Sequence, residues 1–173
     1  MSNTLVISMF VFLPIILFVV VIMAQSKKKA KKKRNELVAV YRDIVANDHL
    51  QITEEEILHD KIFAIDARKK VFIYIRNHDK PIYDIIHLDG LLRCEVEKKG
   101  TSLVTRYKGK SAVALHVNEA YLTFSSKNMV AINLQVYSEI NDGQREYCSL
   151  MKIAEAWQEK LNSIMKQEKL VSK

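Results

Sequence analysis

Three hydrophobic patterns follow one another along the chain. The first is an unbroken apolar run from Thr4 to Ala24, TLVISMFVFLPIILFVVVIMA. As a helix its 21 residues would reach about 31 Å, close to the hydrocarbon thickness of a bilayer. The pattern therefore predicts a single N-terminal transmembrane helix within residues 1–26. No Lys or Arg precedes the run and KKKAKKKR (27–34) follows it at once. The positive-inside bias then predicts a single-pass protein of the cell inner membrane, with its N-terminus out and the C-terminal domain cytoplasmic. A cleaved signal peptide fits poorly, because the charge lies on the wrong side and the apolar core is too long. Pro14 could kink the span.

The second pattern has helical period. Leu37, Tyr41, Ile44 and Val45 share one face of residues 35–46, and no Gly or Pro interrupts positions 15–80. A helical stalk through the basic run is expected, so residues 27–56 read as a polybasic juxtamembrane segment and stalk. Thr53-Glu54-Glu55-Glu56 matches a capping box and predicts a short turn of helix.

From about Lys61 the period becomes two. Ile62–Ile65 and Val71–Ile75 flank the polar Asp66–Lys70, a hairpin signature. Turns are expected at Asn77–Pro81, Asp89-Gly90, Lys99-Gly100, Lys108-Gly109, Asn118-Glu119 and Ser125–Asn128. Between them lie Ile82–Leu88, Leu92–Lys98, Ser102–Tyr107, Ser111–Val117 and a strand within Met129–Tyr137, which makes about seven strands. Asn141-Asp142-Gly143 ends the sheet. Tyr147, Leu150, Met151, Ala154, Trp157, Leu161, Ile164 and Met165 then form an apolar helical stripe. Its bulky aromatics suit a sheet-covering helix better than a coiled-coil seam.

Charge refines this picture. The net charge of +7 belongs to Lys27, Lys28, Lys29, Lys31, Lys32, Lys33 and Arg34, since residues 35–173 hold 20 basic and 20 acidic groups. A nucleic-acid footprint on the folded part is not supported. The run reads as a topology anchor, and as a lipid-contact segment through attraction to anionic head groups. About 140 residues remain for one domain, read here as 57–173. Cys94 and Cys148 form no metal-binding or redox motif and read as small buried apolar residues.

Ile85-Ile86-His87-Leu88-Asp89-Gly90-Leu91-Leu92-Arg93-Cys94-Glu95-Val96 resembles a segment of bacterial pleckstrin-homology-like (PH-like) and GRAM-like domains. In those domains a short strand leads through one turn and an Ile or Leu into a strand beginning Ser-Val-Glu. Ile65-Asp66 with Lys69-Lys70-Val71 is similar to a hairpin common in the same group. The resemblance covers about residues 57–168. It implies an α+β domain, a PH-like antiparallel sandwich or barrel with a C-terminal amphipathic helix, acting as a binding platform or adaptor without catalysis. The basic cluster that binds phosphoinositides in such domains is not carried over, because the Asp66–Lys70 turn is short and contains an acid.

Catalytic chemistry finds little footing. With four glycines there is no Gly-rich phosphate loop, and G-x-S-x-G and H-E-x-x-H are absent. His49, His59, His78, His87 and His116 are scattered without metal-pair spacing. Glu54, Glu55 and Glu56 would diverge around a helix as a solvated face. No cofactor, metal or catalytic residue is expected. The expectation is a membrane-anchored, non-catalytic interaction or scaffold module that meets the lipid bilayer and a membrane-associated protein partner. The alternative is an anionic-lipid-sensing module using Lys98, Lys99, Arg106, Lys108 and Lys110. The partner's identity and the oligomeric state are left open.

Overall fold

The computed structural model describes the backbone of residues 2–107, 110–126 and 131–171, and the side chains of 18, 20–102, 115–126 and 131–166. Helix α1 (Ser2–Asn47) leads into a four-stranded antiparallel meander: β1 (Glu54–Ile57), β2 (Lys61–Asp66), β3 (Val71–Asn77) and β4 (Pro81–His87). A three-stranded meander follows, made of β5 (Leu91–Tyr107), β6 (Lys110–Ser126) and β7 (Ile132–Ser138). A short α2 (Glu139–Asp142) then precedes α3 (Tyr147–Val171).

Strands β2 and β3 are apolar on both faces, and each face has its own cover. Phe63, Ile65, Phe72 and Tyr74 point into the main core with Leu122, Phe124, Leu134 and the stripe of α3. Ile62, Ala64, Ile73 and Ile75 point the other way, where Leu37, Tyr41 and Ile44 of α1 and Leu50 cover them. Continuous hydrophobic strands belong in sheets buried on both sides, which is why these two lack polar alternation. Helix α1 ends in a left-handed His49 (φ 49°) and a Leu50 N–H to Val45 carbonyl bond of 3.0 Å, so Leu50 turns back onto the sheet. At the β2–β3 turn, Asp66 accepts from the backbone N–H groups of Gln51 (2.7 Å), Lys69 (2.9 Å) and Arg68 (3.0 Å). Burial pushes its carboxyl up, but these donors and the Lys69 charge outweigh it and hold the group below its ordinary range.

Helix α3 rivets the two sheets together. On β5, the Cys94 N–H donates to Asn162 Oδ1 (2.9 Å) and the Cys94 carbonyl accepts from Asn162 Nδ2 (2.8 Å). The Val96 N–H donates to Gln158 Oε1 (2.6 Å), and Lys98 pairs with Glu155 (3.1 Å). On β1, Glu54 pairs with Lys160 (2.6 Å) and Glu56 accepts from Trp157 Nε1 (2.9 Å). Trp157 is 1% exposed and its ring lies 5.9 Å from that of Phe63 and 5.6 Å from that of Phe72.

Several expectations are corrected. Among the described residues, no helix is long and apolar enough to cross a membrane. That finding overturns the transmembrane, single-pass, inner-membrane reading with its cytoplasmic C-terminal domain. The described part of α1 is long, but it is charged from Lys27 and amphipathic from Leu37. Most side chains of the Thr4–Ala24 run lie outside the described residues.

Thr53–Glu56 forms no helical turn, because Glu54–Ile57 pairs with Ile62–Ile65 as a strand. Alternation then sends Glu54 and Glu56 to α3 while Glu55 accepts from the Tyr41 hydroxyl of α1. Lys99-Gly100 is no turn either. β5 runs straight through it with a register shift, and a Cβ on Gly100 would stand 1.9 Å from the His116 carbonyl oxygen. Glycine is needed there for close backbone approach at a bulge. β6 likewise continues through Asn118-Glu119. Among the described residues there are seven strands: β1 was not foreseen, the expected Leu92–Lys98 and Ser102–Tyr107 are one strand, β5, and β6 runs on past the expected Ser111–Val117. Lys108-Gly109 and residues 127–130 lie outside the described residues. Cys94 is buried as expected, with its thiol pushed up to about 12 by burial, whereas Cys148 is exposed.

Two stability outcomes follow from these contacts. Trp157→Ala should cost about 3–5 kcal/mol in urea unfolding, since it empties the centre of the main core. Asp66→Asn should cost about 1–3 kcal/mol at neutral pH. A carboxyl depressed in the folded state stabilises above its unfolded pKa and loses that contribution as pH falls through its folded one. The gap between the native chain and Asp66→Asn should therefore close below about pH 4.

Candidate functional site

The β1–β2 turn (58–60), the β3–β4 turn, α1 near residue 33 and α2 meet at one end of the four-stranded sheet. The Asn77 N–H donates to the Asp60 carbonyl (2.8 Å), and Asn77 Nδ2 donates to the Lys33 carbonyl (3.1 Å). Lys33 Nζ donates in turn to the His78 carbonyl. The basic run thus touches the sheet, and the reason is visible in its composition. Ala30 is the one uncharged residue in KKKAKKKR, and 30, 34, 37, 41 and 44 follow the three-four spacing of the face that packs on β2 and β3.

Lys61 anchors this end. It begins β2, is 1% exposed, and its ammonium pairs with Asp60 (2.8 Å) and with Asp142 of α2. The other oxygen of Asp142 accepts the Ser138 N–H at 2.7 Å. An ammonium this deeply buried needs such partners, because an unpaired charge in the interior costs several kcal/mol. The triad joins residues 81 apart in sequence, and nothing in the local pattern of Lys61 announces it.

Two hollows flank the turn. One, of about 400 Å³, is lined by Ala30, Lys31, Arg34, Asn35 and His59. The other, of about 330 Å³, has Leu58, Leu150 and Ile153 as its apolar wall, with His59, Asp60, Asp142 and Glu146 among its polar groups. A third hollow of about 240 Å³ lies at the base of the β5–β6 ribbon, between His116, Tyr137 and Tyr147. Beside it Glu139 accepts from Gln144 (2.7 Å) and meets His116 Nε2 (2.9 Å), and these bonds hold its carboxyl below the ordinary range. His116, Glu139 and Gln144 there are thus already engaged with one another.

The residues expected to contact lipid divide among these surroundings. Lys27, Lys28 and Lys29 are exposed on α1. Lys32 lies 3.8 Å from Glu36, Lys33 is spent on His78, and Lys31 and Arg34 line the 400 Å³ hollow. Of the five cations expected to form an anionic-lipid surface, Lys98 is paired with Glu155 and Lys99 lies 4.8 Å over the Tyr121 ring. The side chains of Arg106, Lys108 and Lys110 lie outside the described residues.

Among the described residues, no group of three or more His, Cys, Asp or Glu is placed to hold a metal ion. The chain matches no protein-family model, no curated protein and no solved structure. His59 and Asn35 were missed in the sequence because each is a lone polar residue until α1 is laid against the β1–β2 turn. Lys61→Met should destabilise the fold by about 3–5 kcal/mol, because it strands Asp142. Adding Asp142→Asn should recover part of that loss, and Lys32→Met should shift the unfolding midpoint little, since exposed pairs contribute about 0–1 kcal/mol.

Proposed function

We propose that the chain is a non-catalytic interaction module, a PH-like sheet pair that holds a partner protein at the end of the four-stranded sheet where α1 crosses the turns. The observation that carries this reading is the unequal use of polar side chains. Where α3 meets β1 and β5, the charges and amides at the contact are engaged within the fold. At the turn end, Lys31, Arg34, Asn35 and His59 face an open hollow, and their side chains form no hydrogen bond or ion pair with other described residues. Unengaged donors beside apolar surface are the raw material of a binding site. Four strands, three strands and a helix bonded to both sheets support the PH-like resemblance.

A lipid-sensing surface on β5 and β6 is less favoured, since Lys98 and Lys99 already have partners. The two readings separate on the full chain immobilised against extracts of the cells that make it. The native chain and a Lys98→Glu/Lys99→Glu variant should retain the same protein, and an Arg34→Glu/His59→Glu variant should lose it. Retention indifferent to Arg34 and His59, or binding to anionic vesicles with no protein retained, would refute the module as described.

A further inference from the structure

The two hollows beside the β1–β2 turn share His59 as a lining residue, and their chemistry differs in a way that defines a ligand. The larger is lined by two cations, two further polar side chains and no carboxylate. Of the acids next in sequence to its lining residues, Asp60 is paired with Lys61 (2.8 Å) and Glu36 lies 3.8 Å from Lys32. The smaller offers Leu58, Leu150 and Ile153, and with Asp60 and Asp142 tied to Lys61, Glu146 is the acid left at its rim. A matching ligand carries an anion at one end and apolar surface next to it.

We infer that these two adjoining hollows receive the C-terminal end of a partner polypeptide. The terminal carboxylate lies between Arg34 and Lys31, with Asn35 and His59 as further donors, and the last side chains rest on Leu58, Leu150 and Ile153. The inference rests on the interaction-module reading and names the chemistry of its partner. A carboxylate is favoured over a phosphate for two reasons. Phosphate sites commonly draw on backbone N–H groups at a helix N-terminus or a Gly-rich loop, and this hollow is walled instead by the middle of α1. The adjoining apolar wall supplies contact area that an inorganic anion would leave unused.

The test uses the full chain and a library of N-acetylated peptides randomised over their last residues, offered as free acids and as C-terminal amides. Free acids should be selected, with apolar residues enriched at the end, and the amide of each selected peptide should bind at least about tenfold more weakly. Arg34→Gln should weaken the free acids by a similar factor, while Lys28→Gln, which removes the same charge outside the hollow, should leave binding unchanged. Circular dichroism should show both variants folded. Equal binding of acids and amides, or equal losses from Arg34→Gln and Lys28→Gln, would overturn the inference. So would binding only to vesicles containing phosphatidic acid, which would assign the hollow to a phosphate head group. If the cell-extract partner is retained through Arg34 and His59 but free acids are not preferred, the module stands and its ligand chemistry falls.

Discussion

The double-sided burial of β2 and β3 governs the architecture. Ile62, Ala64, Ile73 and Ile75 on one face and Phe63, Ile65, Phe72 and Tyr74 on the other are all essentially inaccessible. A sheet of this kind needs two covers, because either apolar face left in water would cost the hydrophobic stabilisation of several large side chains. Helix α3 and the second sheet supply one cover and α1 supplies the other. Residues 37–50 are thus part of what keeps the strands dry, and the basic run is carried to the turns by the same helix.

Polar chemistry then fixes the register of the covers. Three consecutive glutamates look redundant until they are placed on a strand, where alternation sends Glu54 and Glu56 to α3 and Glu55 to α1. One four-residue strand therefore binds both helices. At the far end of β2, Asp66 gathers three backbone donors around the hairpin, while Lys61 at the near end reaches α2. The apolar layers decide that the elements pack, and these bonds decide how they align.

Features carried by local periodicity were legible in the sequence. The β2–β3 hairpin, the α3 stripe centred on Trp157 and the face of α1 from Leu37 to Ile44 could all be read there. What escaped depends on distant residues. Gly100 has the composition of a turn, yet its role is set by the His116 carbonyl across the ladder. Glu54–Glu56 satisfies a capping-box pattern, and pairing with β2 overrides it. The site itself was half visible: Lys31 and Arg34 stood out by charge, whereas His59, Asn35 and the Lys61 triad acquire meaning only once the chain is folded. Ala30 was the available signal, a gap in a charged run that falls in step with the buried face downstream.

The way α3 meets β5 bears on the free edge of the three-stranded sheet. The amides of Asn162 and Gln158 answer the outward peptide groups of Cys94 and Val96 as a neighbouring chain would. The helix thereby serves as a surrogate strand, quenching an edge that would otherwise template pairing with another molecule. Fraying of α3 past Gln158 would therefore do more than loosen the core. It would turn a sealed border into an adhesive one, so the identities of two amide side chains bear on colloidal behaviour as directly as on folding.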